Sequence, residues 1–162
     1  MNRRDKIVDI SLDESTGMNL PPEIADEQHR AIQDLLVDNE FRPINDNLPS
    51  GSGPYRINLK AKDQKLIIEI DDKKNKSCNI SLSLKPFHRI MKDYSMVCDS
   101  YYKAVKESSV QKIEALDMGR RGLHDEGAMI LQVNLEGKIE CDFHTARRLF
   151  TLMYVLFVPS LR

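Results

Sequence analysis

Tryptophan is absent from this chain, and its 162 residues include only three cysteines, five tyrosines and five phenylalanines. Cys78, Cys98 and Cys141 are odd in number and widely spaced, which argues against a scaffold stapled by disulfides. No apolar run reaches the roughly 20 residues that a membrane span requires. The richest, LFTLMYVLFV at 149–158, reads as a buried core helix. The opening residues MNRRDKIVDISLDES carry no apolar signal core, so a reduced, cytoplasmic protein is expected.

Recognisable catalytic signatures are missing as well. There is no G-x-x-x-x-G-K-[ST] phosphate loop, no G-x-G-x-x-G, no H-E-x-x-H and no G-x-S-x-G, motifs whose spacing serves phosphate, zinc or acyl chemistry. Cys141 and His144 form a single C-x-x-H spacing, short of the four ligands of a structural zinc site. Cys141 also precedes a helix start, a position that lowers a thiol pKa, but the pair reads as accidental. The carboxylates sit mostly on solvated faces, and no acid/base pair stands out. No cofactor, metal or catalytic residue is expected.

Charge of one sign is lacking too. The formal net charge is −1, where a nucleic-acid binder would be strongly basic, so neither nucleic acid nor a membrane is an expected partner. The balance is uneven along the chain: residues 1–50 hold 5 basic and 11 acidic side chains, and residues 51–110 hold 12 and 7. An acidic N-terminal segment packed near a basic middle is the simplest reading.

What is present is a clear succession of periodic segments. With 41% hydrophobic residues, a chain of this length supports one ordinary domain that buries roughly 70% of its unfolded surface. KIVDISL at 6–12 alternates as a half-buried strand does, and a loop around Gly17 follows. PPEIADEQHRAIQDLLVDNE at 21–40 opens with prolines and sets Ile24, Ala31, Ile32, Leu35 and Leu36 on one helical face. Within it, Glu27 and Arg30 are one turn apart and read as a solvated pair. NDNLPSGSGP at 45–54 is turn chemistry. YRINLKA, KLIIEID and CNISLSL then alternate with period two across connections of hairpin length.

From Pro86 the period becomes helical. Phe87, Ile90, Met91, Tyr94, Val97, Cys98, Tyr101 and Val105 form an apolar stripe that makes Tyr94 and Tyr101 core residues. His88, Arg89 and Lys92 fall on the polar side, as a solvated run. A second pattern spans Val110 to Leu135 with Gly137 as its C-terminal cap, and Asp142 is an N-cap candidate for a last helix over 143–157. The fold class is therefore α+β: a small antiparallel β-meander packed against a long N-terminal helix and a C-terminal group of three helices. Residues 1–162 read as a single domain, 5–85 mainly β with one helix and 86–158 helical.

One stretch breaks the pattern. DMGRRGLHDEG at 117–127 puts three glycines inside a helix, at roughly 1 kcal/mol each relative to alanine. Something must offset that cost. A close approach of another backbone, or a break between two helices, would do so; so would a loop whose N–H groups join Arg120 and Arg121 around an anion. The helical wheel places Arg120 on the apolar face with Ile113, Leu116, Leu123, Gly127, Ile130 and Leu131. A buried, paired guanidinium is expected, with Asp117 the nearest acceptor in sequence. On the last helix an arc of His144, Arg147, Arg148 and Thr151 interrupts an otherwise apolar surface. Facing outward it is a solvated edge, the plainer reading; facing Arg120 it completes a cationic pocket. The apolar remainder of that helix exceeds what a three-stranded sheet covers, so a homo-oligomer is expected.

The runs LKPFHRIMKDYSMVCDSYYKA, IEALDMGRRGLHDEGAMIL and GKIECDFHTARRLFTLMYVL, with the strand near Ile7 and GPYRINL, resemble the signature blocks of an uncharacterised bacterial protein family of the UPF type, over nearly the whole chain. The resemblance implies a cytoplasmic bacterial protein and supplies no reaction, cofactor or partner. Cys141 departs from the family pattern, which is more often aliphatic there, as does the tail FVPSLR. Two functional readings stand: a non-enzymatic binding or regulatory protein acting through protein surfaces, and an enzyme or small-ligand protein that binds a phosphate- or carboxylate-bearing anion at Arg120, Arg121, His124, Arg147 and Arg148. The first is favoured because catalytic motifs are lacking. Convergence of those five side chains in one concave pocket discriminates between them.

Overall fold

The computed structural model describes residues 2–13, 20–107 and 109–161, so the loop expected around Gly17 lies outside the described residues. The elements run β1 (Ile7–Leu12), α1 (Pro22–Val37), β2 (Phe41–Pro43), β3 (Tyr55–Lys62), β4 (Lys65–Asp71), β5 (Ser77–Ser83), α2 (His88–Glu107), α3 (Val110–Leu135), β6 (Ile139–Cys141) and α4 (Phe143–Phe157). Short 3-10 turns precede α2 and follow α4. The expected α+β class holds.

The period-two segments pair as anticipated. β3, β4 and β5 form an antiparallel meander in which Leu59 faces Ile68 and Ile68 faces Ile80. Inward positions are buried, while Asn58 and Glu69 hydrogen-bond to each other on the opposite face at 2.8 Å. The sheet is larger than the meander because β1 adds parallel to β3. A register shift between Ile7 and Asp9 points both Ile7 and Ile10 inward and leaves Val8 exposed, a departure from strict alternation that a bulge explains. A second, two-stranded sheet pairs β2 with β6. At three residues each, these strands are too short to carry a readable period.

Helix ends follow their sequence signals. Asp142 caps α4, its carboxylate accepting from the Thr145 N–H at 3.1 Å, and Gly137 takes the left-handed φ of +77° after α3. The Thr145 hydroxyl in turn accepts from the Glu40 N–H, tying the start of α4 to the segment after α1.

α4 is the axis of the helical layer and packs against α1, α3 and β3. Leu149, Phe150, Leu152, Met153 and Phe157 are buried by this same chain, and Leu156 is half-buried against the same core. That corrects the argument for self-association from α4: among the described residues its apolar circumference is covered by α1 and α3 as well as by the sheet, so α4 alone gives no reason to expect a second copy.

Candidate functional site

A concave pocket of about 250 Å³ opens where α1, α3 and α4 meet over Tyr94 of α2. Its wall is made by Glu27, Arg30, Ala31 and Asp34 from α1, Arg120, Arg121 and His124 from α3, and Arg147, Arg148 and Thr151 from α4. All five residues singled out in the sequence therefore stand in one lining. Arg147, Arg148 and Thr151 of the arc on α4 turn into this pocket, Arg147 toward Asp125 of α3 and Arg148 toward Asp34 of α1, while His144 is exposed. The plainer reading of that arc as a solvated edge holds for His144 alone: α4 packs against both α1 and α3, and Arg147, Arg148 and Thr151 line the pocket between them.

Arg120 is held as expected, with one partner that the sequence did not point to. Its guanidinium bonds Asp117 Oδ1 at 2.6 Å one turn back, lies 3.6 Å from Glu27 Oε1 of α1, and stacks 4.3 Å from the Tyr101 ring centre. The side chain is 25% exposed, less buried than its place on the apolar wheel suggests. Asp117 also takes Arg121 at 3.0 Å, and these cations hold its carboxyl below the usual range. Glu27 is not the solvated partner of Arg30 that its spacing suggests. It accepts from the Tyr102 hydroxyl at 2.5 Å, and burial pushes its carboxyl pKa upward. Only packing between helices could reveal that contact.

His124 sits at the floor. Nδ1 accepts from Arg147 Nε at 3.4 Å, and Nε2 lies 2.7 Å from the Thr151 hydroxyl, which donates to the Arg147 carbonyl at 3.3 Å. This chain requires Nε2 to carry the proton. Burial first, then Arg147 and Arg148, lower the imidazole pKa to about 4. His124 is thus a neutral brace for Arg147 and adds no charge to the candidate anion site.

Arg147 also reaches Asp125 at 3.1 Å, and Arg148 reaches Asp34 at 3.6 Å. Arg30 makes no ion pair among the described residues and stands exposed at the rim. In the lining, five arginines meet two carboxylates, in a chain whose formal net charge is −1. None of the 13 lysines lines the pocket, although 5 of the 11 arginines do. That selection matters because a planar guanidinium binds carboxylate or phosphate through two parallel N–H bonds, which an ammonium cannot do.

Glu27, Arg30, Ala31 and Asp34 were missed as pocket residues. Glu27, Ala31 and Asp34 form an i, i+4, i+7 row in which two acids flank a small residue of the buried stripe of α1.

The other sequence candidates stay apart from this pocket. His88 meets Gln64 at 3.4 Å on the surface, and Arg89 pairs loosely with Asp93. Cys141 is half-buried, and burial with Asp142 pushes its thiol up to about 12, so desolvation outweighs the helix start that favours a thiolate. Among the described residues, no group of three or more His, Cys, Asp or Glu is arranged to hold a metal ion, and no helix is long and apolar enough to cross a membrane.

Residues 4–158 match the family model of the uncharacterised protein family UPF0262. The chain belongs to that family. It is similar to a UPF0262 protein of Mesorhizobium japonicum, 50% identical over 155 residues that cover 94% of this chain and 93% of that one. UPF0262 proteins of Brucella anthropi and Brucella canis are each 47% identical over 152 residues, covering 93% of this chain and 92% of theirs. The family resemblance read from the α2, α3 and α4 blocks is thereby shown, and its relatives are bacterial. No solved structure matches the chain.

Proposed function

We propose that this chain is a small-ligand protein whose arginine pocket binds an oxyanion, either a phosphate- or a carboxylate-bearing compound. One observation carries the reading: five arginines from three helices converge on a single concavity from which lysine is wholly absent. The internal ion pairs support it, because those of Arg147 and Arg148 each fix a guanidinium by one edge and leave its other N–H groups for a ligand. Arg120 is positioned by Asp117, Arg147 by His124 and Asp125, and Arg148 by Asp34. Arg30 and the mostly exposed Arg121 form the entrance. Positioning of this kind lowers the ordering cost that binding would otherwise incur. No catalytic residue is assigned: both nitrogens of His124 are engaged, and the thiols of Cys98 and Cys141 are protonated at neutral pH. A cytoplasmic location accompanies the proposal, supported by three free cysteines.

Isothermal titration of the purified protein with inorganic phosphate and with citrate tests the reading. Saturable binding that weakens as salt rises and disappears in Arg147→Gln together with Arg148→Gln is the expected result. Absence of saturable binding by any phosphate- or carboxylate-bearing probe overturns it. The reading in terms of protein surfaces keeps one favourable observation, the exposed Met118, Met129 and Val133 along the outer side of α3.

A further inference from the structure

The five arginines of the pocket are not equally free. Arg120 gives Nη2 to Asp117 and turns Nη1 toward Glu27, its Nε is buried, and its plane lies over the Tyr101 ring. It lends the pocket its charge but no open edge. Glu27 is engaged as well: Oε1 accepts from the Tyr102 hydroxyl, and Oε2 is buried out of contact with solvent.

The free N–H groups stand in two pairs. Arg147 and Arg148 are consecutive on α4 and half-buried, and they lean to opposite walls. Arg147 meets Asp125 and His124 through Nε, and Arg148 meets Asp34 through Nη2. Their remaining N–H groups have no partner among the described residues. The second pair is Arg30 on the α1 wall and Arg121 on the α3 wall, both exposed. Arg121 engages Nε with Asp117, and Arg30 makes no ion pair among the described residues.

The spacing of the two pairs is the same on both walls. Arg30 stands four residues before Asp34, where Arg148 is held, and Arg121 stands four before Asp125, where Arg147 is held. Glu27 meets Arg120, so the N-terminal direction leads to the same end of the pocket on both helices. At the rise of an α-helix the pairs are therefore about 6 Å apart along the axis. Ala31, Tyr94, Thr151 and the neutral His124 complete the lining and offer no charge. The volume of about 250 Å³ falls below the roughly 300 to 1,000 Å³ of sites for drug-sized ligands. It suits a molecule of a few carbons and is too small for a nucleotide.

We propose that the ligand is a short-chain acid with two oxyanion groups about one helical turn apart, one held by Arg147 and Arg148 and the other by Arg30 and Arg121. This rests on the pocket being an oxyanion site and sets the chemical class within that reading: a dicarboxylate or a phosphorylated carboxylate, uncharged between its ends. Each group meets two guanidinium forks. A single oxyanion fills one pair and leaves the other in water, whereas a ligand that joins two groups makes the second capture intramolecular.

Isothermal titration of the full chain with unbranched dicarboxylates from malonate to adipate, all dianionic at neutral pH, and with inorganic phosphate tests the proposal. Affinity peaks at succinate or glutarate, whose carboxylates span one turn, and exceeds that for phosphate by about tenfold or more. Phosphonopropionate, of the same length as succinate, distinguishes a phosphate-type group from a carboxylate at one end; tighter binding than phosphate by either acid supports the proposal. Arg30→Gln with Arg121→Gln changes only exposed side chains. It lowers the best dicarboxylate to the level of phosphate and removes the optimum in length, while phosphate affinity stays within about twofold, as expected for solvent-screened charges. Equal affinity along the series overturns the proposal, as does a rim variant that weakens phosphate and dicarboxylate alike; either result leaves the oxyanion reading standing. Absence of saturable binding by every probe overturns both.

Discussion

Two halves of one eleven-residue stretch do different work. In the C-terminal half, a Cβ built on Gly127 falls 2.3 Å from Phe150 Cζ, and that ring is fully buried between Tyr94 and His124. In the N-terminal half, a Cβ on Gly122 meets nothing, and one on Gly119 makes an ordinary 3.6 Å contact with Val97. Gly127 is a packing residue, though its neighbour is an aromatic ring where the sequence suggested a backbone. The half from Asp117 to His124 instead turns its charged side chains into a pocket. The helix runs unbroken through both. Identical residues at helical spacing thus carry unrelated roles, and only the neighbouring element separates them.

The largest effect that sharpens this contrast is expected at Gly127. Gly127→Leu must displace the Phe150 ring, and overpacking of that size costs about 3 kcal/mol or more; chemical denaturation should show a marked loss of stability. A melt that matches wild type would place the glycine outside the packing account.

The floor of the pocket is tested by pH. His124 has its folded pKa lowered to about 4 from the ordinary 6.5. Between those values the unfolded chain binds the extra proton, so its contribution is fully present above about pH 6.5 and is lost as pH falls to about 4. The shift corresponds to about 3 kcal/mol at most. Glu27, whose folded pKa is raised, contributes with the opposite sign above its ordinary value, so the comparison is with His124→Gln. Denaturation across pH 7 to 4 should fall more steeply for wild type than for the variant. Parallel curves would mean that His124 is not held neutral.

Arg120→Ala leaves Glu27 and Asp117 without their shared cation and bares the Tyr101 ring. Because the guanidinium is partly exposed, a loss of about 2 kcal/mol is expected, below the 3 to 5 of a fully buried pair. Glu27→Gln in the same background should recover part of it. An unchanged melting temperature in Arg120→Ala would contradict the pairing.

The smallest effect has the reverse sign. Gly122→Ala has open space for its methyl group and should stabilise α3 by roughly 0.5 to 1 kcal/mol. A loss there would show that something approaches α3 at Gly122.

Much of the fold was legible because its segments are long and strongly periodic: β3 to β5, the α2 stripe, and α3 and α4 with their Gly137 and Asp142 signals. Arg120 was legible as well, since a charge on an apolar wheel demands a partner. The rest depends on contacts between elements. Periodicity shows that Arg147, Arg148 and Thr151 share an arc, but not that the arc faces the space between α1 and α3. Glu27 lies 93 positions before Arg120, and no local rule links them. The neutrality of His124 follows from burial, which a spacing cannot display. β2 and β6 were unreadable because each offers three residues.

The most direct measurement of the central claim is a titration of the folded protein with inorganic phosphate, read by the side-chain Nε–H resonances of its arginines. Arg120, Arg147 and Arg148 should shift together and saturate with a single dissociation constant, while Arg56 and Arg89, outside the pocket, stay still. Shifts spread evenly over all arginines without saturation, or none in the pocket, would contradict an oxyanion site between α1, α3 and α4.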